Sequence, residues 1–136
     1  MKKRVRAIII KNGQLLTIER VSDKVTFWAL PGGGVEDYDE NEIVALKREC
    51  LEEVSLDVDV IKLIWTREFN GQIEEFYLCK VLSGEARPGN GPEYMETGYT
   101  GHHIPMWLKL NKLHKYDLKP TEIKDNIIKN KNTYEK

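Results

Sequence analysis

The chain has 136 residues, with 21 Lys plus Arg against 22 Asp plus Glu and a formal charge of -1. That length suits one domain over residues 1–136, able to bury about two thirds of its unfolded surface. Balanced charge removes the bulk electrostatic drive toward nucleic acid or an anionic membrane, and no apolar run approaches the roughly 20 residues needed to cross a bilayer. The apolar stretch after Lys2, Lys3 and Arg4 is too short for a secretory leader. The expectation is a cytoplasmic protein with neither nucleic acid nor membrane as partner.

In chain order, residues 5–10 read as a strand, Asn12-Gly13 as a hairpin turn and residues 14–19 as the returning strand. Residues 26–30 form a short strand carrying Trp28, and Pro31-Gly32-Gly33-Gly34 breaks it. An acidic loop over residues 36–40 leads into a helix from about 41 to 54. Residues 58–65 and 73–81 read as strands joined through a turn at Asn70-Gly71. A long loop over residues 83–103 follows, then a strand at 104–110 with Trp107. Pro120-Thr121 opens a last helix to about 129, and a polar tail from about 130 to 136 is expected to fray. Strands on both sides of a central helix, with a second helix at the end, predict a mixed α/β fold. Cys50 and Cys79 each sit in an apolar pattern and read as buried free thiols.

The central helix carries the chemical signal. At 100° per residue, Ile43, Leu46, Cys50, Leu51 and Val54 share a broad apolar arc, read as the core face. Glu49, Glu52 and Glu53 fall on the other side at i, i+3 and i+4, so their carboxylates are neighbours. Like charges at that spacing repel, and negative charge is disfavoured near a helix C-terminus. A divalent cation with oxygen ligands resolves both conflicts. Arg48, four residues before Glu52 and next to Glu49, is placed to hold a carboxylate in position. The helix alone leaves open a solvated acidic face. The glycine run before it favours a cradle for metal and phosphate, because glycine lets backbone approach a ligand closely.

The stretch Gly34-x5-Glu40-x7-Arg48-Glu49-Cys50-Leu51-Glu52-Glu53-Val54-Ser55-Leu56 resembles the Nudix box, G-x5-E-x7-R-E-U-x-E-E-x-G-U with U a bulky aliphatic. The approach Trp28-Ala29-Leu30-Pro31-Gly32-Gly33 and the late Met106-Trp107-Leu108 strand are also similar to MutT-like Nudix hydrolases. The box covers residues 34–56, and the likeness extends over most of the chain. Two positions depart from it: Ser55 stands where the box has glycine, and Cys50 at an aliphatic position. The spacing from Pro31 to Arg48 is one residue longer than in the commonest members, so either Gly33 or Gly34 can serve as first box glycine; the extra residue is placed near Tyr38.

The resemblance implies a Nudix α/β/α sandwich with a mixed sheet. It also implies an Mg²⁺- or Mn²⁺-dependent hydrolase cleaving a pyrophosphate bond in a nucleoside di- or triphosphate, or in a nucleoside diphosphate linked to another moiety. By the same resemblance Glu49, Glu52 and Glu53 hold the metal, with the Gly32 carbonyl joining them. Glu52 and Glu53 belong to the catalytic set, Arg48 orients them, and Glu40 is a structural or outer partner. Arg20 matches an arginine that contacts substrate phosphate. Glu93 and Glu96, in the long loop, are candidates for a general base or an extra metal ligand. The alternative is a non-catalytic Nudix-fold nucleotide-binding regulator. Homodimers are common among relatives, and the oligomeric state stays open. His102-His103 is read as solvated, and Gly32 to Gly34 is not a P-loop, because no G-K-[ST] follows.

Overall fold

The computed structural model describes residues 1–21, 24–87 and 102–135. In chain order these form β1 (Lys3–Lys11), β2 (Gln14–Val21), β3 (Thr26–Ala29), β4 (Gly32–Gly34), α1 (Glu42–Val54), β5 (Asp57–Phe69), β6 (Gln72–Ser83), β7 (His102–Lys109), a 3-10 turn (Leu110–Lys115) and α2 (Thr121–Tyr134). Both expected hairpins form. Asn12 and Gly13, and again Asn70 and Gly71, take positive φ, as a two-residue turn matching strand twist requires.

The strands run β3-β2-β1-β6-β5, with β4 on β1 and β7 on β2. The β1–β6 pair is parallel and the other paired strands are antiparallel, so the sheet is mixed. A parallel pair needs a crossover, and the segment containing α1 supplies it. Strand β1 is the fork: its end pairs with β2 through Ile10 and Lys11, and its beginning pairs with β4 through Arg4, Val5 and Arg6. A cleft therefore opens between β4 and the β2–β3 arm.

Period-2 alternation along β1 divides the core. Val5, Ala7 and Ile9 pack with Ala45, Leu46, Cys50 and Val54 of α1. Ile8 packs on the opposite face with Phe76, Leu113 and the α2 residues Ile123, Ile127 and Tyr134. Helices thus cover both faces, the α/β/α arrangement expected. Cys50 and Cys79 are buried and free.

Four local expectations change. The glycines at 32–34 form a strand rather than a break, because only a residue without Cβ lets β4 approach β1: a Cβ on Gly32 would lie 2.0 Å from the Val5 carbonyl oxygen. Ile43 and Leu51 of α1 are exposed, and Ala45 takes their place toward the sheet, so the buried stripe is narrower than the apolar arc. A 3-10 turn follows β7, anchored by buried Leu110 and Leu113. The last helix is longer than expected: α2 continues past 129 to Tyr134, which is buried and donates its hydroxyl to Asn126 Oδ1 at 2.6 Å.

Ser55 takes the left-handed cap (φ 61°, ψ 32°) that the box glycine would supply, and its N–H reaches the Cys50 and Leu51 carbonyls. A side chain in that region costs about 1 kcal/mol relative to glycine. Ser55→Gly is therefore expected to stabilise the fold by about 0.5–1 kcal/mol, read as a higher urea midpoint with an unchanged slope.

Candidate active site

Asn41 starts α1 by accepting the Val44 N–H on its side-chain oxygen at 2.9 Å. The helix then carries Arg48, Glu49, Glu52 and Glu53 toward the glycine strand. Arg48 is the hub. Its Nε and Nη2 donate to the two oxygens of Asp39 at 3.0 and 2.8 Å, a bidentate fork. Its Nη1 donates to Glu49 at 2.8 Å and Glu52 at 3.2 Å, and Nη2 also reaches the Gly34 carbonyl at 3.1 Å. The Tyr38 ring lies 5.2 Å from the guanidinium carbon. The hydrogen bond with Asp39 is the first cause that drives the Arg48 pKa up; the carboxylate of Asp39 is held below its usual range, first by the same bond.

Asp39 is the residue that the motif reading missed. Its side chain is 2% exposed and also accepts the Glu36 N–H at 2.8 Å. Glu40, expected as the structural partner, is exposed and makes no side-chain bond to a described residue. The physical reason is the turn: the Asp39 N–H closes on the Glu36 carbonyl at 3.0 Å, which aims Asp39 inward and leaves Glu40 outside. Counted from Gly33, this geometry fits an extra residue between Asp39 and Arg48. The alternative glycine count, Gly33-x5-Asp39, was the available signal.

Glu53 and Glu49 meet the glycine strand. The Gly32 N–H donates to Glu53 Oε1 at 2.9 Å, which sets the glycine expected to offer its carbonyl to the metal directly beside this carboxylate. A Cβ on Gly33 would lie 1.9 Å from Glu49 Oε2. Glu52 is further out, with its side chain 33% exposed. Among the described residues no group of three or more His, Cys, Asp or Glu side chains is gathered closely enough to enclose a metal ion. The donor chemistry still suits a hard cation: carboxylate oxygens beside a strand shaped to admit them.

Arg20 lies on β2 across from Phe27 and His103, its guanidinium carbon 5.7 Å from the Phe27 ring centre. It faces a cavity of about 120 Å³ in the cleft, whose wall also includes Arg6, Leu30 and Lys119. The ring nitrogens of His103 are buried, contrary to the solvated reading. Glu93 and Glu96 lie outside the described residues.

This sandwich is shared with solved structures. An E. coli protein, ORF135, matches with a TM-score of 0.65 and 26% identity over 90% of this chain and 84% of that one. A MutT NUDIX hydrolase from Burkholderia pseudomallei matches with a TM-score of 0.63 and 26% identity, covering 81% of this chain and 84% of its own. A family model described as the NUDIX domain matches residues 1–129, and the chain belongs to that family. Its members generally use divalent metal cations. An RNA pyrophosphohydrolase from a Wolbachia strain of Drosophila simulans is 31% identical over 97 residues, 59% of this chain and 55% of that protein. The chain thus spans a little over half the length of the curated relatives it matches.

Proposed function

We propose that this chain is a divalent-cation-dependent hydrolase that cleaves a pyrophosphate bond in a nucleoside di- or triphosphate, a nucleoside diphosphate linked to another group, or a 5′-triphosphorylated RNA end. The last substrate widens the initial reading, which excluded nucleic acid; the names of the curated relatives favour including it. The observation that carries the proposal is the contact of Glu53 and Glu49 with Gly32 and Gly33, organised by Arg48. On this reading the whole chain, residues 1–136, acts as one domain, with the box at 34–56.

Glu49, Glu52 and Glu53 are the residues that would hold Mg²⁺ or Mn²⁺, a cation that neutralises phosphate charge and lowers the pKa of a bound water. Arg48 keeps Glu49 and Glu52 oriented and limits their mutual repulsion. Glu53 is positioned by the Gly32 amide. Arg20, in the cleft, neutralises a substrate phosphate. Among the described residues no helix is long and apolar enough to cross a membrane.

The test is release of phosphate or pyrophosphate from a panel containing ATP, dGTP, ADP-ribose and a triphosphorylated oligonucleotide, each with Mg²⁺ and with Mn²⁺. Turnover of at least one compound, abolished by EDTA, is expected. Tight binding of a nucleotide with no turnover of any would replace the hydrolase by a nucleotide-binding regulator. The glycine strand offers a second check. Gly33→Ala is expected to push the Glu49 carboxylate aside and weaken cation affinity about 10–100-fold, the usual cost of disturbing a ligand's support, measured by titration calorimetry.

A further inference from the structure

A second charged cluster lies on the face of the sheet opposite α1. Glu74 of β6 is nearly buried and accepts from Arg6 Nε at 2.9 Å and from Arg67 Nε at 2.7 Å. Both arginines spend Nε on Glu74. Among the described residues their Nη atoms meet no acceptor other than the Leu30 carbonyl, which Arg6 Nη1 reaches at 3.2 Å. Arg67 lies over the Phe69 ring at 4.1 Å, which holds its plane. Arg4, two residues from Arg6 on the same face of β1, makes no hydrogen bond or ion pair to a described residue. Burial and then the neighbouring Arg6 charge push its pKa down, against the weaker pull of Glu74, Glu49 and Glu53, and burial, which alone would raise Glu74, is outweighed by its two arginines.

One cation would satisfy Glu74. Three guanidiniums face this one hydrogen-bonded carboxylate, and although Glu49 and Glu53 also attract Arg4, burial and the like charge of Arg6 outweigh them, so positive charge is in excess in a partly buried place, which is costly. Sequences tolerate such a conflict mainly at functional positions. The cluster lines a cavity of about 340 Å³ together with Phe69 and Gln72. It also adjoins the candidate active site, because Arg4 pairs with Gly34 and Arg6 with Gly32 across β1 and β4. Those are the glycines of the strand that meets Glu53 and Glu49. The smaller cleft cavity shares Arg6, Arg67 and Glu74 with this one and continues to Arg20.

We propose that the Arg4–Arg6–Arg67 cavity is an anion subsite that takes a second phosphate group of the substrate, separated by a nucleoside from the diphosphate that is cleaved. The proposal rests on the pyrophosphohydrolase reading for the place of the scissile group. Two sources share this chemistry: the 3′-phosphate of a free nucleotide and the first phosphodiester of an oligonucleotide 5′ end.

Binding measured by titration calorimetry in EDTA separates the subsite from turnover. The probes are AMP, adenosine 3′,5′-bisphosphate and the dinucleotide pApA. The protein is expected to bind at least one doubly phosphorylated probe about tenfold more tightly than AMP, the gain for one charge-assisted contact. Arg4→Gln and Arg67→Gln, each checked for cooperative melting, should reduce that ratio toward one. A gain for the bisphosphate alone identifies a free nucleotide; a gain for pApA identifies an RNA end. Equal affinity for all three probes, or a ratio unchanged in both folded variants, overturns the subsite. A protein that discriminates in EDTA yet hydrolyses nothing keeps the subsite and loses the hydrolase reading. One that hydrolyses without discriminating does the reverse.

Discussion

Glu53→Gln is expected to lower kcat for pyrophosphate release by about 10²–10⁴-fold, the range for losing a group that handles a proton or a metal-bound water. The substitution is isosteric. Its amide oxygen can still accept the Gly32 N–H that now reaches Glu53 Oε1 at 2.9 Å, so β4 keeps its support. What disappears is the negative charge. Melting should therefore stay within about 1 kcal/mol of the parent, because the neutral hydrogen bond that remains is worth about that much. Steady-state kinetics on the best substrate of the panel, with a parallel thermal melt, separates the two effects. Unchanged kcat would remove Glu53 from the site.

The second large effect is on stability. Arg48→Ala is expected to destabilise the fold by about 2 kcal/mol, below the range for breaking a fully buried ion pair because Glu52 still reaches water. The loss falls on three carboxylates at once: Asp39, Glu49 and Glu52 all accept from Arg48. Asp39→Asn should reproduce much of it, whereas Glu40→Gln should change stability by less than about 0.5 kcal/mol, as for an exposed surface residue. The pH dependence has a definite sign. Asp39 is held below its ordinary value of 3.8, first by the hydrogen bond from Arg48. Its contribution is complete above the unfolded carboxylate pKa and is lost as pH falls through the lower folded value. Between pH 5 and pH 2 the parent should lose more stability than Asp39→Asn, as read from urea midpoints. Parallel curves would mean that the Arg48–Asp39 pair contributes nothing.

The helix and its carboxylates were legible because both rest on local spacing. Residues three and four apart on a helix are neighbours whatever the rest of the chain does, so Glu49, Glu52 and Glu53 share a side from their numbers alone. The hairpins at Asn12-Gly13 and Asn70-Gly71 were equally local, since positive φ at two successive positions selects those residues. The motif then placed Arg48 among the carboxylates, where it is found.

Elsewhere, spacing could not decide. The motif count chose Glu40, while a turn closed by the Glu36 carbonyl chose Asp39. Glycine disfavours strands on its own, yet Gly32–Gly34 becomes one: at Gly32 β1 comes too close for a Cβ, and at Gly33 the Glu49 carboxylate does. The last helix reads as ending near 129, and it runs on to Tyr134, whose side chain joins the layer of the core that α2 covers. Arg4, Arg6, Arg67 and Glu74 stand on three strands with long separations, and each alone reads as an ordinary surface charge.

The amino-acid order by itself determined the elements whose interactions close within a turn or two of chain: the carboxylate face of α1, both hairpins and the alternating core strands. Only the folded chain decided which partner each charge receives. An ion pair between distant residues depends on strand register and on which groups lose their water together, and neither is encoded at any one position.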